Sequence, residues 1–185
     1  LGAAALVQKK KLNWIDPYLG YDIDRKVNPK EVVDQLLKAP TGVANGRAEF
    51  GPRALGNRSL LADPRKDVKE VVNTIKQREQ FRPFAPAILE EYSEEYFSGP
   101  MNRYMQFVAK AKHDHKSVTH IDGTARVQVV EKDNKSILRP ILEEWYERTG
   151  CPMLLNTSLN IKGQPIVNNE KDAEAFSNQY GVKVF

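Results

Sequence analysis

The chain has 185 residues, with 28 Lys and Arg against 24 Asp and Glu for a net charge of +4, 41% hydrophobic content and a single cysteine. A chain of this length removes roughly two-thirds of its unfolded surface from water, which excludes a disulfide-stapled miniature and, with nearly balanced charge, a disordered chain. No stretch reaches the roughly 18 apolar residues of a membrane span, and no basic residues precede the Leu1–Val7 stretch as they do in a secretory signal. A cytoplasmic location with no membrane partner is expected.

The sequence opens on Leu1, and Gly2 to Leu6 has the composition of the small-residue end of a packed helix. Residues 1–27 are therefore expected to be the remnant of, and linker from, a preceding domain, with 28–185 forming the domain itself. Asn28, Pro29 and Glu31 give a capped start to a helix over about 29–38 that stops near Pro40. Asp67 with Glu70 repeats the capping pattern, and Val68, Val71, Val72 and Ile75 form the buried stripe of a second helix that delivers the chain to Lys76-Gln-Arg78. A third helix spans Ile137 to Thr149, with Pro140 at its regular start and Gly150 as its stop; a fourth runs from Glu170 to Tyr180 behind Asn169.

Strands are expected at Val43-Ala44, Ser59 to Ala62, Phe84 to Leu89, Tyr104 to Val108, Ala125 to Val130, Met153 to Leu155 and Val182 to Phe185. Alternation over Ala125 to Val130 sets Arg126 and Gln128 on the face opposite Ala125, Val127 and Val129, so Arg126 points to solvent or a ligand. Lys110 to Thr119 has the composition of a mobile surface loop. Interleaved helices and strands define an α/β (mixed α+β) fold.

Between Arg47 and Arg82 stand nine basic residues against five acidic ones, an excess equal to that of the whole chain. Arginine dominates, and its planar fork suits phosphate and carboxylate ligands. Gly46 to Arg58 spaces three glycines and a proline among arginines where backbone turns tightly toward a ligand, without forming a P-loop. If the segment after the second helix is extended, Lys76 and Arg78 face one side and clamp a polyphosphate. Leu154 to Asn160 passes from a buried strand into short polar side chains, at a strand end where ligands of α/β sheets bind. Cys151 has the setting of a buried apolar residue, and His113, His115 and His120 lack a carboxylate constellation, so no protein metal site is expected.

Four segments, Gly46 to Arg65, Phe81 to Pro86, Asp122 to Gln128 and Leu155 to Asn160, closely resemble the C-terminal domain of the O-carbamoyltransferases, a family that includes nodulation-protein-U-type and antibiotic-biosynthesis enzymes. The resemblance implies a YrdC-like twisted open sheet with flanking helices and a basic concave surface. It also implies formation of carbamoyladenylate from carbamoyl phosphate and ATP, with Mg²⁺ bound to substrate, and transfer to a hydroxyl acceptor by an N-terminal actin-like, Kae1-like domain of the same polypeptide. Lys76 and Arg78 look like the KxR pair, and Ser158 and Asn160 like the SxN pair, of that fold. On this resemblance Arg126, Arg47, Lys76 and Arg78 are the catalytic candidates, and Arg53, Asn156, Thr157, Ser158 and Asn160 the binding candidates. The competing class is a basic nucleotide- or RNA-binding module without activity of its own. Nucleic acid is disfavoured as a partner because Phe50, Phe81 and Phe84 have the setting of packing residues rather than of a stacking stripe.

Overall fold

The computed structural model describes residues 2–11, 13 and 15–185. In chain order the elements are α1 (Gly2–Gln8), β1 (Tyr18–Ile23), α2 (Pro29–Leu36), β2 (Thr41–Ala44), β3 (Gly46–Glu49), β4 (Arg58–Ala62), α3 (Lys69–Ile75) and β5 (Ala85–Leu89). They continue through α4 (Ser93–Tyr96), β6 (Phe97–Ser98), β7 (Ala109–Ala111), β8 (Thr124–Ala125), β9 (Gln128–Val130), α5 (Leu138–Thr149), β10 (Met153–Ser158) and α6 (Glu170–Tyr180). No helix among the described residues is long and apolar enough to cross a membrane.

The frame is an open five-stranded sheet in the order β2-β4-β10-β5-β9, antiparallel except for the parallel β5-β9 pair. Strands β2, β4 and β5 are buried along their whole length, as apolar runs covered on both faces must be. The expected strand at Val182 to Phe185 is a short parallel extension of the β2 edge, with Gly42 and Ala44 N–H donating to the carbonyls of Lys183 and Phe185. A β1-β3 ribbon and a small β6-β7-β8 sheet flank the frame. Helix α5 packs its Leu138, Ile141, Leu142 and Trp145 stripe, all fully buried, against β5, β10 and α2. Gly150 closes α5 in the left-handed conformation (φ 68°), and α6 starts on an Asn169–Asp172 capping box. Cys151 is buried, as its setting suggested.

The structure departs from the sequence expectations in identifiable places. Helix α1 forms over Gly2–Gln8 and buries no residue within this chain. Helix α3 begins one residue later than an Asp67 cap would set it: Val68 is the capping residue without a side-chain bond, and its N–H is taken by Ser117 Oγ. Residues 104–108 form turns rather than a strand, because Asn102 Oδ1 accepts the N–H groups of both Tyr104 and Gln106 and Met105 is left-handed (φ 56°). The strand lies just beyond, at β7, inside the segment expected to be a mobile loop; Ser117 fastens the rest of that segment to Lys66 and Val68. Alternation breaks between β8 and β9, where the chain crosses from the small sheet to the large one, so Arg126 is exposed whereas Gln128 is fully buried. Phe84 packs inside, but Phe50 and Phe81 are exposed.

Candidate functional site

Strand β3 ends at Glu49, and residues 50–57 return the chain to the central sheet at Arg58. Glu49 Oε1 accepts the N–H groups of Leu55 (2.7 Å) and Asn57 (2.8 Å), while Asn57 Nδ2 donates to the Arg47 carbonyl at 2.8 Å. Burial raises the Glu49 carboxyl above the ordinary carboxylate range, against the pull of those backbone donors. Gly56 is required for two reasons: its φ is 127°, and a Cβ there would lie 2.5 Å from Ser136 Oγ and 2.7 Å from Leu138 Cβ. Arg58 is fully buried and spends its fork on the carbonyls of Tyr21, Asn45, Gly46, Asn57 and Asn168. It is a structural arginine that ties β1, β3, β4 and the segment before α6 together.

The other side of the loop is held by amides. Asn156, in the middle of the sheet on β10, donates through Nδ2 to the Ala54 carbonyl (3.1 Å) and to Gln128 Oε1 (2.7 Å). Gln128 Nε2 in turn donates to the Leu55 carbonyl at 2.9 Å. Because both carbonyls need donors, the orientation of both amides is fixed, and Asn156 Oδ1 is left buried without a partner. Gln128 thus joins the segment carrying Arg126 to the loop carrying Arg53.

Those two arginines open on one cleft of about 780 Å³, lined also by Glu49, Phe50, Tyr104 and Met105. Partial desolvation of its otherwise exposed side chain, with Arg53 nearby as a second cause, lowers the basicity of Arg126. Neither side chain makes an ion pair among the described residues, whereas Arg65, Arg82, Arg103, Arg139 and Arg148 each pair with a carboxylate. Two like charges on a cleft whose carboxylate, Glu49, is turned to backbone N–H groups and forms an ion pair with neither of them suit an anion.

A second cluster forms where α3 meets the end of β10. Lys76 is 3% exposed, and its Nζ donates to the carbonyls of Ser158 (2.5 Å) and Asn160 (2.8 Å), with Asn160 Oδ1 at 3.2 Å and Ser158 Oγ at 3.4 Å. Burial and the adjacent Arg78 push the Lys76 amine down to about 7. The segment is not extended, since Lys76 closes α3 and Gln77 is left-handed (φ 50°), so Lys76 and Arg78 reach different partners. Arg78 Nε donates to Asn73 Oδ1 at 2.6 Å, and its guanidinium lies 4.4 Å from the centre of the Phe84 ring. Burial, then Arg82, lower Arg78 to about 10, so it stays charged at neutral pH.

The structure therefore brings Lys76, Ser158 and Asn160 into one hydrogen-bonded unit, with half-buried Thr157 alongside, and places Arg53 and Arg126 on one cleft. Arg47 does not line the cleft; it is exposed on β3, on the same strand face as Glu49 and about 7 Å along from it. Sequence reasoning missed Glu49 and Gln128. An acidic residue inside an arginine-rich run was the available signal for Glu49; Gln128 gave none, because its burial depends on the strand break before it. The histidines serve other contacts, His113 and His115 against the Tyr96 ring and His120 Nδ1 at 3.1 Å from Asp122. Among the described residues no group of three or more His, Cys, Asp or Glu is placed to hold a metal ion.

An open sheet with helices packed against it, and an arginine-lined cleft at the loop that precedes β4, defines an α/β domain. Residues 35–185 match the family described as carbamoyltransferase C-terminus, and the chain belongs to that family. It is 46% identical over 145 residues to nodulation protein NolNO of Sinorhizobium fredii, covering 73% of this chain and 21% of that protein. It is 41% identical over 125 residues to nodulation protein U of Rhizobium tropici, covering 64% and 22%. It is 42% identical over 202 residues to an uncharacterized protein of Methanocaldococcus jannaschii, covering 92% and 39%. The chain thus spans between about a fifth and two-fifths of the length of these relatives.

Proposed function

We propose that this carbamoyltransferase domain binds carbamoyl phosphate and ATP and forms carbamoyladenylate, which an N-terminal domain of the same polypeptide passes to a hydroxyl acceptor. The observation that carries the reading is the convergence of Arg53 and Arg126, unpaired among the described residues, on one cleft. Carbamoyl phosphate and water give carbamate and phosphate. A carbamate oxygen then attacks the α-phosphorus of ATP, the bond to the bridging oxygen breaks, and pyrophosphate leaves. Such transfers demand positioning and charge neutralisation rather than a protein nucleophile. Arg53 and Arg126 hold the phosphate of carbamoyl phosphate, and Arg47 flanks the cleft for a second anionic group. Arg78, backed by the Phe84 face and Asn73, meets the nucleotide phosphates.

Lys76 acts through its neighbours, because its donors are directed to Ser158 and Asn160; it sets the end of β10, where Thr157, Ser158 and Asn160 orient the carbamate and nucleotide, while Asn156, buried with both amide hydrogens on Ala54 and Gln128, holds the loop and not the ligand. Mg²⁺ enters as the nucleotide complex, held by phosphate oxygens, and supplies charge neutralisation there. The test is carbamoyl-phosphate-dependent release of pyrophosphate from Mg·ATP. Arg126→Ala is expected to lower the rate by orders of magnitude with an unchanged melting temperature; wild-type turnover in that variant would sink the assignment.

A further inference from the structure

The arginine cleft also contains a carboxylate, and a carboxylate opposes the binding of an anion unless the ligand presents a donor to it. Glu49 is the acidic residue lining the cleft, and its carboxyl is rigidly held: Oε1 accepts two backbone N–H groups, from Leu55 and Asn57. Oε2 accepts no hydrogen bond from another described residue. The loop therefore needs one oxygen of the pair and leaves the second to whatever occupies the cleft. Tyr104 also brings a hydroxyl, a neutral group that both donates and accepts; the remaining polar side chains there answer a different need. Arg53 and Arg126 are donors without acceptor capacity, and Gln106 Oε1 already takes Asn102 Nδ2 at 2.8 Å.

We infer that Glu49 is the residue that selects a carbamoyl group over other acyl groups, its Oε2 accepting a hydrogen bond from the substrate's –NH₂ while Arg53 and Arg126 hold the phosphate. This rests on the proposed assignment of the cleft to carbamoyl phosphate. Acetyl phosphate has nearly the same shape and the same phosphate, but a methyl group where carbamoyl phosphate has –NH₂. A methyl against Oε2 would leave a desolvated carboxylate oxygen unpaired, and sites built to hydrogen-bond an N–H reject analogues lacking it far more strongly than size alone allows. One carboxylate thus fastens the loop through one oxygen and reads the substrate through the other. The raised affinity of Glu49 for protons is consistent with a carboxylate taken out of water.

Calorimetric titration of the chain with carbamoyl phosphate, acetyl phosphate and inorganic phosphate tests this, using wild type, Glu49→Gln and Arg53→Ala. Glutamine keeps an oxygen for Leu55 and Asn57 and turns the second position from acceptor into donor. The wild type is expected to favour carbamoyl over acetyl phosphate by at least about ten-fold. Glu49→Gln should bring that ratio to within about two-fold while binding inorganic phosphate at least as tightly as wild type, and Arg53→Ala should weaken all three alike. A wild type without preference, which needs no variant to fold, overturns the inference, as does a ratio that survives Glu49→Gln. If the wild type binds none of the three anions, the assignment of the cleft itself fails, an outcome distinct from loss of the preference alone.

Discussion

Replacing Arg58 by lysine preserves the charge and most of the volume, so its effect isolates the guanidinium fork. Arg58 reaches five carbonyls, those of Tyr21, Asn45, Gly46, Asn57 and Asn168, at 2.7–3.2 Å. An ammonium has three donors on one atom, so at least two of those carbonyls lose a charged donor, at about 1.5–3 kcal/mol each. The expected destabilisation is roughly 3–6 kcal/mol, which for a domain of this size lowers the melting temperature by roughly 2–4 °C per kcal/mol, or on the order of 10 °C or more. Urea unfolding followed by circular dichroism, with thermal melts in parallel, measures it. An Arg58→Lys protein that melts within about 2 °C of wild type would refute the claim that this arginine holds the loop by its fork.

Other outcomes follow from the same geometry. Arg53→Ala and Arg126→Ala should each weaken phosphate binding by at least about ten-fold while stability changes by no more than about 0.5 kcal/mol, since neither forms an ion pair among the described residues; a large loss of stability in either would show a structural role. Gln128→Leu should cost about 1–3 kcal/mol, from the Leu55 carbonyl and the Asn156 amide losing a partner, and should raise the KM for carbamoyl phosphate more than that for ATP, as steady-state kinetics would report. Lys76 supplies a pH signature. Its folded amine titrates at about 7 against an ordinary 10.5, so between those values the unfolded chain binds a proton that the folded chain lacks, and stability rises with pH. Urea midpoints measured across that window should show the rise in wild type and lose it in Lys76→Met. Glu49 has the opposite sign: its raised folded value means the folded chain holds the extra proton, so its contribution falls as pH climbs above about 4.5. Glu49→Gln removes that fall.

Which parts of this protein are legible in its sequence depends on the range of the interactions involved. The helix starts at Asn28 and Asn169, the stop at Gly150 and the α5 stripe are read correctly because capping and 3.6-residue periodicity operate within a few neighbouring residues. Asp67 misleads for the complementary reason: the N–H groups at the start of α3 have a partner in Ser117, some fifty residues away. Residues 104–108 have the composition of a strand, but one Asn102 side chain folds them into a turn. The family motifs are visible in the sequence without any geometry.

The sequence by itself determined the α/β class, the concentration of arginine between Arg47 and Arg82, and membership of a carbamoyltransferase family, since these rest on composition, local pattern and motif. Only the tertiary structure decided which arginines are free to meet a ligand. Arg53 and Arg58 stand five residues apart in the same motif, yet one faces the cleft and the other is buried under carbonyls from β1, β3 and the segment before α6. The same holds for Arg126 and Gln128, exposed and buried across a strand break. Whether a polar side chain serves the fold or a substrate depends on which distant backbone groups need a partner, and that is settled only when the chain has closed around it.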